Sequence, residues 1–148
     1  MRTNKMLCTN GIPMNKFFIL FFSIYSNIAL SDDFDCDKAI STIEINYCAG
    51  VELENSTLKM NTYLTKSKEH NSYDSELIKS IDVAQKAWSS YAEAHCDSIY
   101  TQWRDGTIRG VMHLSCKTKI TKQRTYEIWA NFLTYMDSTP PVLPEPEL

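Results

Sequence analysis

Four cysteines, Cys36, Cys48, Cys96 and Cys116, follow an almost uninterrupted apolar run from Phe17 to Leu30, and this order constrains the fold more than anything else in the 148-residue chain. The run follows Lys16 and ends with Ala29 and Ser31 at the spacing of a cleavage site, so residues 1–31 read as a secretory leader. Met14 offers a more compact start, which makes residues 1–13 a long leader N-terminus or a misassigned start. An uncleaved anchor is the alternative, but a span needs about 20 apolar residues, so no stable membrane span is expected after cleavage. Exported cysteines meet an oxidising compartment, and four of them predict two disulfides. Three pairings are open. Cys36 with Cys48 and Cys96 with Cys116 close the shortest loops and are expected, each bridge being worth roughly 3 kcal/mol on the loop-entropy model. A four-cysteine zinc site is the competing reading. It is disfavoured because no C-x-x-C occurs, and no metal is expected.

Removing the leader takes away Arg2, Lys5 and Lys16 while all 18 acidic residues stay, so the formal charge falls from −3 to −6. An acidic chain is a poor phosphate binder, and no nucleic-acid partner is expected. The 4 glycines fall in no G-x-G-x-x-G or P-loop pattern, so no nucleotide cofactor, or any other, is expected.

The remaining chain reads as helices. Ser41-Thr42-Ile43-Glu44 matches a capping box, and Ile45, Ala49, Leu53, Met60 and Leu64, with Thr57 in the gap, recur at helical spacing. A first helix is predicted over 42–69, with Gly50 inside it costing about 1 kcal/mol relative to Ala and marking a point of kinking. His70 to Asp74 is turn-like, with Ser72 or Asp74 as the next cap. Leu77, Ile81, Ala84, Trp88, Tyr91 and His95 then form a 4-3 seam, a second helix ending near Cys96. Residues 101–110, with Asp105-Gly106, read as the principal loop. Val111, Leu114, Ile120, Ile128, Trp129, Phe132, Leu133 and Met136 place a third helix near 112–136. The last eleven residues, 138–148, carry four prolines and predict a disordered, polyproline-like tail. No period-two strand stands out. The expected fold is therefore all-α, a small three-helix bundle over 32–137 stapled by two disulfides, with a short extra turn around Cys36.

The string Ala84-Gln85-Lys86-Ala87-Trp88-Ser89-Ser90-Tyr91, followed by Cys96, resembles the A-Q-x-x-W-x-x-Y/F-x-x-x-x-C signature of the LprI-like lysozyme-inhibitor family. Other landmarks fall in order: Cys36, then Asn46-Tyr47-Cys48; Met60-Asn61-Thr62-Tyr63-Leu64, with Leu64 where the family has an aromatic; Gly106-Thr107 in place of a richer glycine loop; and Cys116, Ile120, Thr121 and Arg124. The resemblance covers about residues 36–128. It implies a disulfide-stapled helical protein of the bacterial envelope, periplasmic or secreted, and a lysozyme-inhibitor-like function without catalysis.

The candidate site residues divide into two groups. Gln85, Trp88, Tyr91 and Arg124 read as structural: Trp88 fills the core, Gln85 bonds across to the third helix, and Arg124 pairs with an acidic residue of another helix. Trp103, Arg104 and Arg109 read as partner-binding, because a disulfide between Cys96 and Cys116 would preorganise their loop. A lysozyme cleft holds two carboxylates and a sugar chain; guanidinium groups can pair with the first and an indole can stack on the second. The exposed side of the first helix, with Glu52, Asn55 and Lys59, is the alternative surface. No enzyme is expected: paired cysteines leave no thiolate, Ser89 and Ser90 lie mid-helix, Glu52 and Glu54 point to different faces, and His70, His95 and His113 are scattered, His95 at a core-like position. The expected function is steric occlusion of a cell-wall hydrolase. The alternatives are an envelope adaptor or immunity-type protein that binds another secreted protein, and a purely structural cell-wall factor.

Overall fold

Backbone groups at helix ends need partners, and at the starts of the first two long helices a short polar side chain supplies them. The computed structural model describes residues 34–148, so the leader and its cleavage site lie outside the described residues. A 3-10 turn, Cys36–Lys38, precedes three helices, Thr42–His70 (α1), Ser75–Gln102 (α2) and Arg109–Phe132 (α3), and no strand occurs among the described residues. The Ser41 hydroxyl accepts from the Glu44 amide at 3.2 Å while the Glu44 carboxylate accepts from the Ser41 amide at 2.8 Å, closing the expected capping box. Those bonds hold the Glu44 carboxyl below its ordinary range, the Ser41 amide first and the Ile40 amide second. Gly50 neither breaks nor ends α1, which runs for 29 residues. Asp74, rather than Ser72, caps α2, its carboxylate accepting from the Glu76 and Leu77 amides at 3.0 Å each.

Both α1 and α2 pack against α3. Cys36 pairs with Cys48, tying the 3-10 turn to α1, and Cys96 pairs with Cys116, tying α2 to α3 with their Cα atoms 5.7 Å apart. One core cluster joins Met60, Tyr63, Ile128 and Leu133; the other joins Ala92, Cys96 and Ile120; Trp88 packs against both. The buried turn residue Asn71 donates to the Ser67 carbonyl at 2.8 Å and the Phe132 carbonyl at 3.3 Å, holding the α1–α2 connection against the end of α3.

Much of the interior is hydroxylic. Ser56, Ser67, Thr118, Thr121 and Thr125 are buried. Thr118 and Thr125 return their hydroxyls to the Leu114 and Thr121 carbonyls at 3.0 and 2.9 Å, and Ser67 to the Leu64 carbonyl at 2.8 Å. A hydroxyl satisfied within its own helix leaves a small, largely apolar surface for packing.

Three expectations need correction. The α2 seam is out of phase beyond Ile81: Ala84, Tyr91 and His95 face outward, and the inward row is Ile81, Gln85, Trp88, Ala92 and Cys96. Helices held this close admit only small residues between them, so Ala92 and Cys96 turn inward and Tyr91, 58% exposed, stacks on His95 outside. The third helix starts earlier, at Arg109, and stops at Phe132, leaving Met136 fully exposed. At its end the Leu133 carbonyl accepts from the Val142 amide, returning from the tail, at 2.8 Å. The tail itself forms no helix or strand, but it is not free. It lies back along the groove between α1 and α3, with Val142 and Leu143 packed on the first core cluster and Pro146 buried.

Candidate functional site

The Cys96–Cys116 bridge clamps α2 and α3 six residues before α2 ends, roughly 9 Å of helix. Beyond the clamp the chain reverses through 103–108. The Trp103 amide donates to the Ile99 carbonyl at 3.1 Å, the Gly106 amide to the Trp103 carbonyl at 2.8 Å, and the Arg109 amide to the Gly106 carbonyl at 3.3 Å. Tyr100, Trp103 and Ile108 are each about two-fifths exposed, which gives this end of the bundle an apolar surface.

The two arginines differ. The Arg109 guanidinium lies 5.2 Å from the centre of the Tyr100 ring and donates to the Arg104 carbonyl at 3.3 Å, so its head group is held from two sides. Arg104 is mostly exposed, its nearest carboxylate being Asp105 at 3.9 Å. Ile108 offers the start of α3 no side-chain cap and no acidic residue occupies its first turn. Arg109 therefore stands at a helix start that no acidic residue of its own first turn offsets. The structure thus brings Trp103, Arg104 and Arg109 into one stapled loop.

Behind the loop, the His113 and Tyr100 rings meet nearly at right angles with centroids 5.7 Å apart, and His113 Nε2 lies 3.1 Å from an Asp97 carboxylate oxygen. Glu93 forms an ion pair with Lys117, whose hydrogen bond chiefly holds the Glu93 carboxyl below its ordinary range. Glu93, Asp97 and His113 place their ligand atoms within 4.8 Å of one another. A cation held there would have to displace the Lys117 ammonium from Glu93. The support given by Tyr100 and His113 has no signal in the sequence, because it depends on how the chain reverses between the two helices.

The motif residues occupy the interhelical seam. The Gln85 side-chain oxygen accepts from Arg124 Nε at 3.0 Å, joining α2 to α3. The acidic partner of Arg124 is Glu127 on its own helix, at 3.0 Å, rather than a residue of another helix. Trp88 is half-buried between the two core clusters, and Tyr91 points to solvent. His70 and His95 lie apart from the loop, each beside a tyrosine. On the alternative surface, Glu52 pairs with Lys122 at 2.8 Å, and Glu52, Asn55 and Lys59 line a cleft with Glu147 of the tail. That surface is a wall of the groove the tail occupies. No described helix is long and apolar enough to cross a membrane.

A family model described as lysozyme inhibitor LprI matches residues 36–128. An uncharacterized protein of Rhizobium meliloti (strain 1021) is 26% identical over 105 residues, covering 64% of this chain and 76% of the relative. No solved structure matches.

Proposed function

The chain belongs to the LprI lysozyme-inhibitor family, and from that premise we propose that it is an exported binding protein that blocks a lysozyme-type cell-wall hydrolase by covering its cleft with the loop at 103–109. The observation that carries this reading is the held Arg109 head group, set between Tyr100 and the Arg104 carbonyl beside the partly exposed Trp103. A guanidinium fixed before contact loses little entropy on meeting a carboxylate. The hydrolase cleft offers two carboxylates, and Trp103 presents an indole face of the kind that stacks on sugar rings. The acidic remainder of the chain would draw a cationic enzyme toward it and raise the encounter rate in a salt-dependent way. Inhibition needs no bond making, so no cofactor enters.

The test uses the chain from Asp32 to Leu148, fully oxidised, titrated into a vertebrate-type lysozyme clearing a cell-wall suspension at two salt concentrations. Stoichiometric inhibition that weakens with salt is expected, and Arg109→Glu should weaken it at least ~10-fold, more than Arg104→Glu does. Inhibition untouched by both reversals refutes the loop as the contact surface. No inhibition by an oxidised, helical sample refutes the lysozyme reading and directs the search to another secreted protein.

A further inference from the structure

The family match ends at 128, yet the chain continues into a segment seated on the bundle. Its path is regular. The Val142 amide bonds to the Leu133 carbonyl; the Leu143 carbonyl accepts from Trp129 Nε1 at 2.8 Å; the Pro144 carbonyl accepts from the Tyr63 hydroxyl at 2.8 Å. Pro146 is buried, Glu147 lines a cleft with Ser56 and Thr125, and Leu148 lines one with Ala49 and Thr118. The segment thus descends the groove between α1 and α3, antiparallel to α3.

Prolines remove amide donors, so a proline-rich segment can be recognised mainly through its carbonyls and its apolar rings. Here two successive carbonyls are read by an indole N–H and a phenol O–H set in an aromatic-lined groove, the chemistry by which unrelated modules recognise proline-rich peptides. Beside Leu148 the groove widens into a cleft of about 350 Å³ walled by Ala49, Glu52, Thr118, Lys119 and Lys122. That half carries Lys59 and Lys119 beside the paired Glu52 and Lys122, and the segment lying there carries Glu145 and Glu147.

We propose that the α1/α3 groove is a peptide-binding site for extended, acidic, proline-containing segments of a partner protein, held in cis by the chain's own residues 142–148. It is separate from the loop at 103–109 and does not depend on which hydrolase that loop meets. The tether is short, so the tail acts at an effective concentration in the millimolar range. A partner displaces it by competing for the same two donors, Trp129 Nε1 and the Tyr63 hydroxyl.

The experiment places a site for a sequence-specific protease between the exposed residues Asp137 and Ser138 of the otherwise intact chain. After cleavage and gel filtration the helices should persist, and the Trp129 indole N–H resonance should move to a free position. Adding a synthetic peptide of residues 138–148 should return it, with half-saturation below ~1 mM, the effective concentration of the tethered tail. Tyr63→Phe should weaken binding about 2- to 10-fold through one lost hydrogen bond. Melting of the helices once the tail departs overturns the proposal, because the tail is then core. So does failure of the peptide to restore the resonance. Dimers that form in the cleaved sample before the 138–148 peptide is removed, or in the intact chain as concentration rises, would make the occupant a second copy and also overturn it. In the uncut chain, the Trp129 indole proton should exchange far faster than the amide of Ile128; exchange of both only through global unfolding refutes a displaceable tail without any variant.

Discussion

Replacing Gln85 by Met removes the acceptor of Arg124 Nε while keeping side-chain length and helix propensity. The Arg124 side chain is only 12% exposed, so little water can replace the lost partner. A charged donor left unsatisfied in such a place costs about 2 kcal/mol. Arg124→Met removes the charge instead; it leaves the half-buried Gln85 amide and the exposed Glu127 without their partner, and the second loss is worth only about 0.3–0.5 kcal/mol. The double variant puts two flexible thioethers side by side in the seam, where an apolar pair of similar volume can be nearly neutral. The cycle should therefore show a coupling of about 1–2 kcal/mol, with Gln85→Met the worst of the three. Urea unfolding measures this directly: the midpoint should fall while the slope stays constant, and the melting temperature should drop by roughly 8 °C in Gln85→Met. Lysozyme inhibition by the folded variants should be unchanged, since the pair lies in the seam away from the loop. A coupling below about 0.5 kcal/mol would refute the interhelical pair as the reason these two motif residues occur together.

Gly50→Ala should stabilise the protein by about 1 kcal/mol, because a methyl there meets nothing within 4 Å and the helix gains propensity; thermal melting checks it. Replacing Cys96 and Cys116 together by Ala should cost about 3 kcal/mol in urea unfolding, and should raise amide exchange in 97–115 more than elsewhere. The Glu44 carboxyl is held below its ordinary value of 4.5 in the fold. Its contribution is complete above that value and is lost as pH falls through the lower folded one, so an NMR titration should find α1 fraying from Ser41 first in that acidic window, and Glu44→Gln should abolish the pH dependence.

The helices were legible because capping and turn residues are local signals: Ser41 with Glu44, and Asp74, each bond within three residues of themselves. Which face of α2 turns inward was not, because it depends on how near α3 comes. Large residues dominate any reading of periodicity, yet at the Cys96–Cys116 crossing the interior accepts Ala92 and rejects Tyr91. Burial of Thr118, Thr121 and Thr125 was hidden for a related reason, since hydropathy counts a hydroxyl as polar even where its own helix satisfies it. The docked tail escaped because proline content speaks only of donors the segment lacks, whereas Trp129 and Tyr63 supply the donors from elsewhere. In the loop, Trp103, Arg104 and Arg109 could be picked out by type, but the ring that holds Arg109 lies at Tyr100, on the far side of the turn.

Among the described residues each cysteine is bonded to a neighbour in cysteine order, Cys36 to Cys48 and Cys96 to Cys116. A polypeptide entering an oxidising space N-terminus first exposes its thiols in that same order. An oxidase that joins each newly arrived pair as it appears makes only native bonds, so no isomerase has to correct the product. Biogenesis should then proceed at the rate of thiol oxidation rather than of disulfide reshuffling, and refolding of the reduced chain should populate few scrambled isomers.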